Sequence, residues 1–71
     1  MHSHGFQFAA PDGFKPTDDN APAEDGIYET LIIIGPQYRE TRLENRIYLR
    51  GKWSAGDWTK VLAFGKKVRE I

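Results

Sequence analysis

Cysteine is absent from the 71 residues, which excludes a disulfide, a thiolate metal site and a thiol nucleophile. In so short a chain the first two are the usual supplements to a small core. The absence suits a reducing cytoplasm, which is the expected location. Serine is scarce, with only Ser3 and Ser54, and both histidines, His2 and His4, fall in the first four residues. A hydroxyl nucleophile therefore has no base outside that end segment. Met1-His2-Ser3-His4 reads as an incidental pair of imidazoles at a chain end. Glycine loops that cradle phosphate and metal-ligand spacings are both missing. Long hydrophobic runs are missing too. The aliphatic run from Leu31 to Ile34 is far below the ~20 residues of a membrane span, and no basic-then-apolar leader pattern opens the chain. The expectation is a soluble, non-enzymatic protein without cofactor or metal, and not a membrane protein.

What is present is charge, unevenly divided. Residues 1–30 hold six carboxylates against Lys15, and residues 31–71 hold nine Lys/Arg against four carboxylates. The division fits either a basic surface for nucleic acid beside an acidic arm, or an arm that neutralises its own domain. The second is the simpler reading, because surface ion pairs are common and individually weak. Asp18/Asp19 and Glu24/Asp25 are paired acids, but in turn-like sequence they read as solvated rather than catalytic.

Residues 1–25 form the expected arm. Pro11, Pro16, Pro22, Gly5 and Gly13 interrupt it, and no helical or strand period survives. Phe6, Phe8 and Phe14 are unusual in such a segment and point to docking of part of the arm. A turn at Glu24-Asp25-Gly26 leads into Ile27–Ile34, the clearest strand, which Gly35-Pro36 ends. Its first half alternates, with Glu29 toward water. From Leu31 onward both faces are apolar, so something must cover it, and a second copy of the chain is the expected cover. Leu31, Ile32, Ile33 and Ile34 are thus the expected self-association residues, in a homo-oligomer.

Residues 37–45 are polar and mixed in charge, fitting a solvated edge strand or a long loop. Strand character resumes at Arg46-Ile47-Tyr48-Leu49, and Arg50-Gly51-Lys52 reads as a hairpin turn. A two-residue loop places Tyr48 opposite Trp53. A three-residue loop places Leu49 there and exchanges the faces. The end of the chain has two readings as well. Asp57 caps a helix over residues 58–70 with Gly65 in its middle, at a cost of about 1 kcal/mol. Alternatively a strand from Lys60 to Phe64, a turn at Gly65-Lys66 and a short strand to Ile71 close the fold.

The stretch "NRIYLRGKWSAGDWTKV", residues 45–61, crowds cations and aromatics together. Arg46, Tyr48, Arg50, Lys52, Trp53 and Trp58 are the candidate binding residues. Cations neutralise phosphates and aromatic faces stack on bases, so nucleic acid or a nucleotide ligand over residues 46–69 is one reading. Against it, a small domain needs its tryptophans for core. Arg, Tyr and Trp are also the side chains that anchor protein interfaces, which favours a protein partner.

The order of these signals resembles a family of short phage and prophage proteins of unknown function. Pro22-Ala23-Glu24-Asp25-Gly26-Ile27-Tyr28 looks like that family's opening, Gly51-Lys52-Trp53 like its middle and Val61-Leu62-Ala63-Phe64 like its close. Phe64 stands where Trp is usual, and the resemblance spans residues 22–64. It implies a small antiparallel β-meander, a mobile-element origin and action by binding and modulating a host protein, and it carries no catalytic or binding residues across. The expected architecture is therefore β-rich, a small antiparallel meander of three to five strands over residues 26–71 behind a loose acidic arm, residues 1–25. An α+β fold with the C-terminal helix is the alternative. The expected function is non-catalytic binding, with nucleic-acid binding or a structural homo-oligomer as alternatives.

Overall fold

The computed structural model describes residues 10–37 and 40–71. His2, His4, Phe6 and Phe8 lie outside the described residues, as do Tyr38 and Arg39. Every regular element described is a strand: β1 (Lys15–Pro16), β2 (Gly26–Ile34), β3 (Glu40–Leu49), β4 (Lys52–Trp53) and β5 (Thr59–Arg69). All pairings are antiparallel in one sheet of order β1-β5-β2-β3-β4. Consecutive strands β2, β3 and β4 form the expected meander, and β5 returns along the other side of β2. No helix of the described residues is long and apolar enough to cross a membrane.

β2 is central because it is the one strand apolar on both faces. Its burial alternates from Gly26 to Thr30 and then becomes continuous through Ile33. Among the described residues Thr30 is the one buried polar side chain, and its Oγ1 donates to the Glu44 carbonyl at 2.6 Å. Tyr28, Thr30 and Ile32 face inward, opposite Arg46, Glu44 and Arg42 of β3. Leu31 and Ile33 face outward, opposite Leu43 and Thr41.

The inner face is concave. Phe64 of β5 and Trp53 of β4 have ring centroids 5.7 Å apart, although β2 and β3 lie between their strands. Three flat strand spacings would separate those backbones by roughly 14 Å. The sheet therefore curls into a half-barrel, and Tyr28 meets both rings edge-on at 6.0 Å. Bulges in β5 opposite β2 supply part of the bend, with register shifts at Ile27/Tyr28, Tyr28/Thr30 and Leu31/Ile32.

The helix over residues 58–70 does not form, and neither does a turn at Gly65-Lys66. β5 runs unbroken through Gly65. The glycine is there for room: a Cβ on Gly65 would stand 2.5 Å from Cε1 of Phe14. Close approach of another side chain is what a glycine inside a strand often marks.

The same contact amends the reading of the arm. Lys15 and Pro16 pair with Phe64 and Ala63, so the sheet begins inside the segment expected to lack regular structure. Thr17 continues the attachment at a β5 bulge. Its Oγ1 donates to the Val61 carbonyl at 2.7 Å, and its N–H donates to the Leu62 carbonyl at 2.9 Å. Ala10 and Pro11 line a shallow recess with Leu31 and Leu43 on the outer face. Self-association through Leu31–Ile34 loses its premise here. Leu31, Ile32 and Ile33 are 5%, 0% and 2% exposed within the single chain, and strands flank β2 on both sides.

Candidate functional site

Hairpin register decides which candidate residues share a face. Tyr48 pairs with Trp53 and Leu49 with Lys52 around a two-residue loop, Arg50-Gly51. Both loop residues have positive φ, 52° and 82°, as a type I′ turn requires. The two-residue register is thus the one adopted, and Tyr48 and Trp53 fall on the inner face. Their ring centroids are 4.9 Å apart, within the cluster that holds Tyr28 and Phe64. These aromatics close the half-barrel and are half-buried or buried rather than free to stack on a base.

Arg46 is also an inner-face residue, opposite Tyr28. One of its terminal nitrogens donates to Oε1 of Glu44 at 2.9 Å. Its Nε is buried without a hydrogen-bond partner among the described residues. A guanidinium that is partly covered and tied to its own strand is poorly placed to collect phosphates.

Arg50 and Lys52 sit at the other extreme. Both are exposed at the hairpin tip, and neither makes an ion pair among the described residues. Lys52 shares the outer face with Leu49, its cross-strand partner. Arg50 uses its backbone N–H to hold Oδ1 of Asp25 at 3.0 Å, leaving its side chain to solvent.

Trp58 belongs to neither group. It lies just before β5, whose first residue pairs with Ile34, whereas the Arg50-Gly51 loop adjoins the Gly26 end of β2. It is 59% exposed, has φ of 62°, and its carbonyl accepts from the Gly35 N–H at 2.8 Å. The six candidate binding residues therefore do not form one site. Arg46, Tyr48 and Trp53 serve the inner face, Arg50 and Lys52 the hairpin tip, and Trp58 the far end.

Sequence reasoning missed Ile47 and Leu49, which are 38% and 43% exposed on the outer face of β3, in line with Leu43 at 62%. The signal was present in the alternation of Arg46-Ile47-Tyr48-Leu49. It became readable only with the register, since a one-residue change exchanges the faces.

Among the described residues, the other cations that form ion pairs are Arg42 and Lys67. Lys67 lays its stem over Gly26, where a Cβ would stand 2.6 Å from Cε. Its ammonium donates to Glu24 at 2.6 Å and to Glu70 at 2.8 Å. Those bonds, the one to Glu24 foremost, hold its pKa well above the ordinary lysine range. No cluster of three or more His, Cys, Asp or Glu able to hold a metal lies among the described residues. No protein-family model, no curated protein and no solved structure matches the chain.

Proposed function

We propose that the chain is a non-catalytic protein-binding module that engages its partner through the outer face of the β3–β4 hairpin. One observation carries the reading: Ile47 and Leu49 stand exposed on one face beside Lys52 and the Arg50 tip. A small apolar anchor rimmed by unpaired cations fits an acidic protein surface, with the apolar pair giving affinity and the cations steering approach. The resemblance over residues 22–64 supports a phage-type accessory role, in which the partner is a host protein. Nucleic-acid binding is the weaker reading, because the two aromatics best placed in sequence to stack are spent on the inner cluster.

The test is a photo-crosslinking residue at Leu49, with the same residue at Lys66 as control, in bacterial lysate with and without nuclease. The expected result is a discrete protein adduct from position 49 alone. It should survive nuclease and vanish when Ile47→Asp is added. Loss of the adduct on nuclease treatment would favour nucleic acid, and equal labelling from both positions would remove the proposed face.

A further inference from the structure

Among the described residues β3 has an open edge, and its sequence is complementary to itself. On the side away from β2, β4 pairs only with Tyr48 and Leu49. Ser54 then exchanges bonds with Ile47: the Ser54 N–H donates to the Ile47 carbonyl at 2.8 Å, and the Ile47 N–H donates to Oγ of Ser54 at 3.1 Å. From Glu40 to Arg46 no strand pairs with this side among the described residues. Peptide groups along a strand point alternately to its two sides. Since Ile47 points its own away from β2, so do Asn45, Leu43 and Thr41.

The open stretch reads Glu40-Thr41-Arg42-Leu43-Glu44-Asn45-Arg46. Folded antiparallel on a second copy about Leu43, it sets Glu40 against Arg46, Thr41 against Asn45 and Arg42 against Glu44. Leu43 meets its own copy. The residues whose peptide groups point outward then fall at the hydrogen-bonded pairs, where each pair exchanges both N–H···O bonds. The charged residues fall at the non-hydrogen-bonded pairs, where strands bring side chains closest, with Cα atoms about 4.5 Å apart.

The two registers next to it fail on charge. Centring on Glu44 opposes Glu44 to Glu44 and Arg42 to Arg46, and centring on Arg42 opposes Arg42 to Arg42 and Glu40 to Glu44. Like charges directly opposite are destabilising. Charged edge strands usually protect a sheet from edge-to-edge pairing. This one favours the register about Leu43 over those centred on Arg42 and Glu44.

We infer that β3 pairs with β3 of a second copy, antiparallel about Leu43, joining two half-barrel sheets into one continuous sheet across a twofold axis. Within one chain Glu40, Arg42, Glu44 and Arg46 already pair along the strand, at 2.8, 3.9 and 2.9 Å. These pairs are exposed or half-exposed and weak, so a second ladder can share their charges. The interface is isologous, and every substitution acts twice. It needs no host partner and does not rest on the function proposed above.

The experiment uses Arg42→Glu and Glu44→Arg in the full chain, followed by native mass spectrometry and sedimentation equilibrium. Wild type is expected to dimerise below ~500 μM. Each variant alone opposes like charges twice and should weaken the dimer roughly 10- to 100-fold. Mixed, the two variants again set a carboxylate against a guanidinium at both of these cross-strand pairs. A one-to-one heterodimer should therefore form where neither homodimer does. Leu43→Pro gives an independent check, because its missing N–H lies on the open side and leaves the β2 ladder intact. It should be monomeric with its β-sheet circular dichroism retained. If Leu43→Pro does not fold, the mixing result decides alone. A monomeric wild type at ~500 μM, a mixture that stays monomeric, or a folded Leu43→Pro dimer would overturn the inference.

Discussion

Phe14 occupies the space that a side chain on Gly65 would need: a Cβ there would come within 2.5 Å of Cε1, 2.8 Å of Cδ1 and 3.0 Å of Cζ. The contact fastens the acidic segment to β5, and it makes Gly65 a docking position rather than a strand break. In wild type, Gly65→Ala must expel the ring. Lost packing of about 1.5 kcal/mol outweighs about 0.5 kcal/mol recovered from the stiffer backbone. The melting temperature should fall by ~4–8 °C, the change expected for about 1 kcal/mol in a domain of this size. In a Phe14→Ala background the same Gly65→Ala should be neutral or stabilising. A thermal double-mutant cycle reads this change of sign, and strict additivity would show that the two residues are not coupled.

Removing residues 1–20 tests the same attachment at larger scale. The truncated chain loses the Phe14 ring, the β1 pairing with Phe64 and Ala63, and the Thr17 bonds to Val61 and Leu62. The sequence alone suggested a loose arm over residues 1–25, outside the folded domain. With β5 stripped of its outer neighbour, the expectation becomes a drop of ~10 °C or more. Thr17→Val is the finer probe, removing only the hydroxyl, and should cost about 1 kcal/mol. A truncated chain melting within a few degrees of wild type would return the boundary to residue 26.

These contacts show where the sequence was legible and where it was not. Ile27–Ile34 announced itself because β-branched residues fill it and Gly35-Pro36 stops it. Residues 40–45 did not, because their outer face meets solvent and Leu43 is the one apolar residue among them. Gly65 misled because its reason, Phe14, is far away in sequence. The candidate site divided for a related cause. Arg46, Tyr48 and Trp53 look alike on paper to Arg50 and Lys52, but the register sets the first group on the inner face, which the curl of the sheet closes. No local pattern encodes that curl. It follows from the β5 bulges and from Phe64 reaching Trp53.

Lys67 gives a pH prediction with a definite sign. Its folded pKa is raised above the ordinary value of 10.5 by Glu24 and Glu70. A raised lysine pKa contributes stability that is fully present below the unfolded value and is lost as pH rises through the folded one. The stability difference between wild type and Lys67→Met should therefore stay level from neutral pH to ~10 and shrink above it. Both carboxylates are largely exposed, at 66% and 82%, so the difference should be small and fall further with salt. Denaturant unfolding across that pH range measures it. A difference that disappears already at about pH 8 would mean the pair does not hold Lys67.

Arg50 is where fold and function can be separated. It adopts φ of 52° in a turn that asparagine fits better, and its side chain makes no ion pair among the described residues. Asn-Gly is the preferred pair for a two-residue type I′ loop. Arg50→Asn should therefore stabilise the protein by about 0.5–1 kcal/mol, because a non-glycine residue in the left-handed region carries a penalty of that order or larger. The bond from residue 50 N–H to Asp25 is a backbone bond and survives the change. Local strain kept at an exposed position is a reason to look for function there. If Arg50 guides an acidic partner to Ile47 and Leu49, the stabilised variant should lose crosslinking from position 49, mainly through slower association. Thermal melting and crosslinking yield on the same preparation read both effects. A variant that gains stability and crosslinks as well as wild type would take Arg50 out of the binding surface and leave Lys52 as its cation.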